Sequence, residues 1–190
     1  HKGKPFLGIG PLDITEIHGA DSLYEADGII AQSEANAGSL FGCRTFYSTE
    51  GSSQCIRAML YLILRYARQH GRAAYIAAAR NAHKTFVTAA ALLDITVDWL
   101  YPTANPGYLS CDLTPAELEH YLHNAPEKPA AVYVTSPDYL GQLADIRGLA
   151  AVCHRHDVLL AVDNAHGAYL KFLLQSMHPM DLAAGLCCAS

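Results

Sequence analysis

Every apolar run in these 190 residues is broken well short of the roughly 18 that a membrane span requires. The opening His1-Lys2-Gly3-Lys4-Pro5 lacks the apolar core of a signal peptide, so no membrane partner and a cytoplasmic location are expected. Basic charge is also scarce. Thirteen Lys and Arg against eighteen Asp and Glu give a net charge of -5, which argues against a nucleic-acid partner and leaves room for a cationic substrate. No C-x-x-C pair exists among the six cysteines (Cys43, Cys55, Cys111, Cys153, Cys187 and Cys188), which read as reduced core residues rather than disulfides or zinc ligands. Of the ten histidines, His120-x-x-His123 and His154-x-His156 have no carboxylate or thiolate at ligand spacing and read as exposed helix positions, so no metal site is expected. Repeats, low-complexity tracts and Pro/Gly/Ser linkers are absent too, so no boundary is placed inside residues 21–190.

What is present is a 51% hydrophobic composition, enough for a substantial core in one α/β domain. Residues 1–20, with six glycines and prolines, form an extended N-terminal arm. Residues 21–40 open with an Asp-Ser cap signal and predict one broken helix, kinked near Gly28 and ending at Phe41-Gly42. Residues 44–49 read as a strand, after which Glu50-Gly51-Ser52-Ser53 turns into a strong helix that stops at Gly71. Beyond it the pattern predicts strands over 73–79, 96–101, 130–137, 158–162 and 186–190, with helices over 83–94, 114–124 and 144–156. Thr114 followed by Pro115 and Glu117 is a helix start in its own right. Alternating strands and helices give an α/β fold with a mostly parallel sheet and helices on both faces.

The run Val158-Leu159-Leu160-Ala161-Val162 is a strand buried on both faces, and it ends in Asp163-Asn164-Ala165-His166-Gly167. Ligands sit outside the carboxyl ends of such strands, which places Asp163 and His166 where a bound molecule would be; a turn or helix cap is the plainer alternative. Gly51, Ser52 and Ser53 open a helix whose free N–H groups can hold a phosphate, and a plain N-cap is weighed equally. The turn lacks the spacing of a P-loop or G-x-G-x-x-G fingerprint, which disfavours a nucleotide. His83 and Lys84 stand at the next strand-to-helix turn, where His83 can lie flat on a cofactor ring or merely cap the helix.

In this order the four strand-end sites, Gly51-Ser52-Ser53, His83-Lys84, Thr135-Ser136-Pro137 and Asp163-x-Ala165-His166, resemble the large domain of fold-type I pyridoxal-phosphate enzymes, and more closely the bacterial ornithine/lysine/arginine decarboxylase group. The resemblance rests on His1-Lys2-Gly3, Asp13-x-Thr15-Glu16, Gly19-x-Asp21-x-Leu23, Arg80-Asn81-x-His83-Lys84 and Val162-Asp163-Asn164-Ala165-His166-Gly167. It departs at Asn164, where the family usually has Glu. It implies pyridoxal 5'-phosphate as cofactor, Gly51, Ser52 and Ser53 around the phosphate, and His83 stacked on the ring. It also implies Asp163 at the ring nitrogen, Ala165 on the opposite ring face, His166 orienting the substrate, and Ser190 as a further phosphate contact. The implied reaction is decarboxylation of lysine, ornithine or arginine by a homodimer or larger assembly in polyamine metabolism.

The five lysines are Lys2, Lys4, Lys84, Lys128 and Lys171. The family's cofactor-linking lysine follows the Asp strand on the next strand, so Lys84 precedes it and Lys171 follows it too closely. The resemblance therefore places that lysine just past Ser190 and makes 21–190 a cofactor-binding large domain that is incomplete at its C-terminal end. Within the same fold an aminotransferase or carbon-sulfur lyase is the nearest alternative, and a non-catalytic phosphate-binding module is the alternative from another class.

Overall fold

The structure is a computed structural model that describes residues 19–104 and 109–190, and the chain divides between Tyr47 and Ser48 into two compact units. All but the last two residues of the expected arm, 1–20, lie outside the described residues.

In the first unit, a short 3-10 turn at Leu23–Glu25 is followed by helix α1 (Ile29–Phe41). Gly28 breaks the segment as expected, but it separates two pieces rather than kinking one helix. The reason is Asp21, whose carboxylate accepts the N–H groups of Ser22, Asp27, Gly28 and Ile30 at 2.6–3.1 Å and so caps a helix that begins eight residues later. These donors, led by the Asp27 amide, hold the Asp21 carboxyl down at about 2.

The strand expected over 44–49 is not formed. β-Rich residues make a strand only where a neighbour pairs with them. Here the Tyr47 N–H donates to Glu34 Oε1 at 2.8 Å, the Tyr47 hydroxyl bonds Ser33 Oγ at 2.9 Å, and the Arg44 guanidinium lies 5.1 Å from the Phe46 ring centre. Local bonds to α1 and a local cation–π contact take the place of a ladder.

The second unit follows the expected alternation closely. Its elements are α2 (Ser52–Gln69), β1 (Tyr75–Ala79), α3 (Lys84–Leu92), β2 (Thr96–Leu100), α4 (Pro115–Asn124), β3 (Ala131–Thr135), α5 (Ile146–Arg155), β4 (Leu159–Asn164) and β5 (Leu186–Ala189). The five strands form one parallel sheet in the order β2-β1-β3-β4-β5. Ile76, Ala78, Tyr133, Ala161 and Cys188 face a core built with Ile56, Leu60 and Ile63 of α2 and Phe86 and Ala89 of α3. Alternate residues, Ala77, Val132, Val134, Leu160 and Val162, face a second core with Leu118 and Leu122 of α4 and Ile146, Leu149 and Val152 of α5. Strands covered on both faces have no polar side, which is why β1, β3 and β4 read as continuous apolar runs. The edge strand β2 instead alternates in burial. None of the six cysteines is joined in a disulfide, and Cys111, Cys153 and Cys188 lie in the core. No helix of the described residues is long and apolar enough to cross a membrane.

The start of α4 is a complete capping box. Thr114 Oγ1 accepts the Glu117 N–H at 3.2 Å, while Glu117 Oε2 accepts the Thr114 N–H at 2.9 Å and Oε1 the Thr103 N–H at 2.7 Å. These donors, Thr103 first, hold the Glu117 carboxyl down from an ordinary 4.5 to about 2. Because the folded value lies below the unfolded one, the contribution is complete above the usual carboxylate range and is lost as pH falls from 4.5 toward 2. Thr114→Ala is expected to cost about 1 kcal/mol. Glu117→Gln should lose less stability than the wild type between about pH 6 and about pH 3 in urea unfolding, and an equal loss would refute the assignment.

Candidate functional site

A parallel sheet brings the carboxyl ends of its strands to a single edge, and Asp163 is the penultimate residue of β4 on that edge. In register it stands opposite Thr135 of β3 and Cys188 of β5, on the face covered by α2 and α3. Only 3% of Asp163 is exposed. Its Oδ2 accepts the Tyr133 hydroxyl at 3.0 Å, and its Oδ1 accepts the Ala165 N–H at 3.2 Å and the Cys188 thiol at 3.4 Å. Burial, followed by the Asp163 charge, pushes the Tyr133 hydroxyl well above its ordinary 10, and burial likewise raises the Cys188 thiol. Both groups therefore stay protonated and act as neutral donors. No Lys, Arg or His among the described residues forms an ion pair with Asp163. Beside it, the buried Thr135 Oγ1 has no hydrogen-bond partner among the described residues.

Gly51 is the N-cap of α2 at φ 63° and ψ -159°, a conformation that a Cβ makes costly, so glycine is what lets the chain turn into this helix. Ser52 and Ser53 are its first residues, where backbone N–H groups have no helical acceptor and the helix dipole is positive. The strand expected to lead into this turn is absent, so the cradle is a turn and a helix start only. Ser53 Oγ lies 3.3 Å from Thr85 Oγ1, which lies 2.9 Å from His83 Nδ1. The structure thus joins the start of α2 to the histidine through Thr85. His83 is also the N-cap of α3, with Nδ1 accepting the Thr85 N–H at 3.2 Å. Capping through Nδ1 fixes the ring and leaves Nε2 uncommitted to the cap.

The segment after Asp163 is closely packed. Asn164 is fully buried, and its Nδ2 donates to the Ser136 carbonyl at 2.6 Å. A Cβ on Gly167 would collide with the Asn164 amide and stand 2.7 Å from Pro137 Cδ, so glycine is required there. Ala165 is half-buried, while His166 is exposed beside it. Ser190 Oγ donates to the Ala165 carbonyl at 2.9 Å and so ties the end of β5 to this turn. Lys84 is exposed in the first turn of α3, and Lys171 is engaged by Asp181 at 2.7 Å.

Three residues in this site escape sequence reasoning: Thr85, Tyr133 and Cys188. Only Tyr133 carried a signal, because a tyrosine in a strand buried on both faces must find a partner for its hydroxyl. The histidine pairs are partly corrected. His120, His123 and His154 are exposed, but His156 is half-buried with Nε2 2.6 Å from Glu119 Oε1, a carboxylate that tertiary packing supplies from α4. No group of three or more potential metal ligands occurs among the described residues. A cavity of about 390 Å³ at the sheet edge is lined by Asn81, Thr135 and Asp138 among others. A larger one of about 1100 Å³ lies along β2 and α4, away from Asp163.

Chemically, the α2 start suits an anion, and the buried, uncompensated Asp163 carboxylate suits a cation. Pyridoxal phosphate carries both, a phosphate and a basic ring nitrogen, so the residues present fit that group.

Residues 5–185 match the family model described as Orn/Lys/Arg decarboxylase, major domain. Arginine decarboxylases of Halalkalibacterium halodurans and Bacillus subtilis are each 29% identical over 173 residues, a stretch covering 89% of this chain and 34% of those proteins. The chain thus spans about a third of the length of the curated relatives it matches. The crystal structure of Oryza sativa TDC with PLP and tryptamine superposes with a TM-score of 0.62 at 16% identity, covering 81% of this chain and 38% of that one. That likeness gives the fold, which is that of the fold-type I pyridoxal-phosphate enzymes, as the resemblance implied. With its parallel sheet and with a family match from residue 5 to residue 185, the chain belongs to the Orn/Lys/Arg decarboxylase major-domain family.

Proposed function

We propose that the complete protein containing this chain decarboxylates a basic amino acid, lysine, ornithine or arginine, to the corresponding amine and carbon dioxide, using pyridoxal 5'-phosphate. The observation that carries this reading is the Asp163 carboxylate, 3% exposed, held by three neutral donors and without a countercharge among the described residues. A buried carboxylate left in that state is costly unless a cation arrives to meet it, and a protonated pyridine nitrogen is such a cation. When bound, the cofactor supplies an electron sink for the pair left on the α-carbon as carbon dioxide departs.

The residues of this chain then divide the work. The N–H groups and hydroxyls at Gly51, Ser52 and Ser53 hold the phosphate, with Ser190 as a further contact from β5. His83, fixed through Thr85, stacks on one face of the ring, and Ala165 packs on the other. Asp163 holds the proton on the ring nitrogen, and the exposed His166 orients the substrate. The assembly proposed is a homodimer or larger, in the cytoplasm.

Carbon dioxide release from lysine, ornithine and arginine by the complete protein tests the reading. Release from one of them is expected, and cofactor binding with transamination or carbon-sulfur cleavage instead would overturn it. Asp163→Asn tests the carrying observation, since it preserves size but removes the charge. Loss of a charge-assisted hydrogen bond of about 1.5–3 kcal/mol in the transition state lowers turnover roughly ten- to a hundred-fold, with more if the electron sink fails. A variant that is about 1 kcal/mol less stable yet fully active would show that Asp163 only caps a turn.

A further inference from the structure

The geometry points to Tyr133 as a positioning residue: its buried hydroxyl fixes the Asp163 carboxylate in the orientation that anchors the cofactor's pyridine nitrogen. This rests on the role proposed above for Asp163 and gives one of its three donors a role of its own.

The argument begins with the freedom of the carboxylate. An aspartate's terminal torsion joins an sp³ to an sp² carbon and is broad, so the rotamer alone does not aim the two oxygens. At Asp163 the Oδ1 side has the Ala165 N–H at 3.2 Å and the Cys188 thiol, a weak donor, at 3.4 Å. On the Oδ2 side the protein supplies the Tyr133 hydroxyl at 3.0 Å. Removing it leaves that oxygen without a donor among the described residues.

Tyr133 is itself held fast. It is 0% exposed in the core between the sheet and helices α2 and α3, and its ring centre lies 4.2 Å from that of Phe86, tilted by 37°. Phe86 stands three residues after His83, so the start of α3 both carries the proposed ring-stacking histidine and clamps the tyrosine. A tyrosine is also the right chemical type. Being a neutral donor, it orients the carboxylate without neutralising it, whereas a Lys or Arg there would supply the countercharge that the ring nitrogen is proposed to supply.

The test is Tyr133→Phe in the complete protein, read by the dissociation constant for pyridoxal phosphate and by the ¹⁵N signal of a ring-labelled cofactor. Affinity is expected to fall about ten-fold, the loss of one hydrogen bond to a charged group, and the ring-nitrogen signal to move toward its unprotonated position. Lost orientation of the carboxylate acts in that direction. In an Asp163→Ala background the same change should alter affinity less than about two-fold, because Tyr133 acts through Asp163. A purely structural tyrosine predicts lower stability with an unmoved ring-nitrogen signal, or an equal loss of affinity in both backgrounds, and either result overturns the inference. If Tyr133→Phe does not fold, 3-fluorotyrosine at position 133 keeps the ring and makes the hydroxyl a stronger donor. It should move the signal the opposite way, and no movement overturns the inference. A wild-type protein that binds no pyridoxal phosphate overturns the functional reading itself, whereas normal binding with an indifferent Tyr133→Phe overturns only the role of Tyr133.

Discussion

The parallel register of β3 against β4 is the constraint on which the rest of the site depends. It sets Thr135 opposite Asp163 and brings the Tyr133 hydroxyl, from two residues earlier on β3, to the Asp163 carboxylate. A carboxylate at 3% exposure is tolerable only with donors around it, and those donors come from three places: β3, β5 and the turn after β4. A shift of β4 by one residue would turn Asp163 toward the helices α4 and α5 and bury it among aliphatic side chains. The register is therefore held by the same apolar alternation that builds the two cores.

Sheet and helices contribute opposite charges to this edge. The strand ends supply the carboxylate, while the start of α2 presents unbonded N–H groups and the positive end of the helix dipole. A ligand with an anionic group and a cationic ring nitrogen is complementary to that separation. The chain Ser53–Thr85–His83 links the starts of α2 and α3, so the proposed phosphate turn and the proposed ring platform are not independent. Thr85 is 8% exposed, which keeps water from competing for these bonds.

Much of this was legible in the sequence because it follows from local periodicity. The apolar run before Asp163, the helix start after Gly51 and the Thr114–Glu117 cap each depend on residues close together in the chain, and each forms where expected. The segment 44–49 shows the limit. Its composition favours a strand, but a strand needs a neighbour, and the bonds of Tyr47 go to Glu34 and Ser33 instead. His156 shows it again, because Glu119 reaches it from 37 residues away.

By itself the sequence determined the alternation of strands and helices, the edge on which the candidate residues lie, and the identities of Asp163, His83, Gly51, Ser52 and Ser53 as candidates. These depend on hydrophobic pattern and helix-capping chemistry, which act over a few residues. Only the tertiary structure decided that Asp163 is held by Tyr133 and Cys188 and that Thr85 joins Ser53 to His83. Those contacts cross 30, 25 and 32 residues of chain, and they exist because strand register and helix packing, rather than sequence neighbourhood, set which buried donors meet which acceptors.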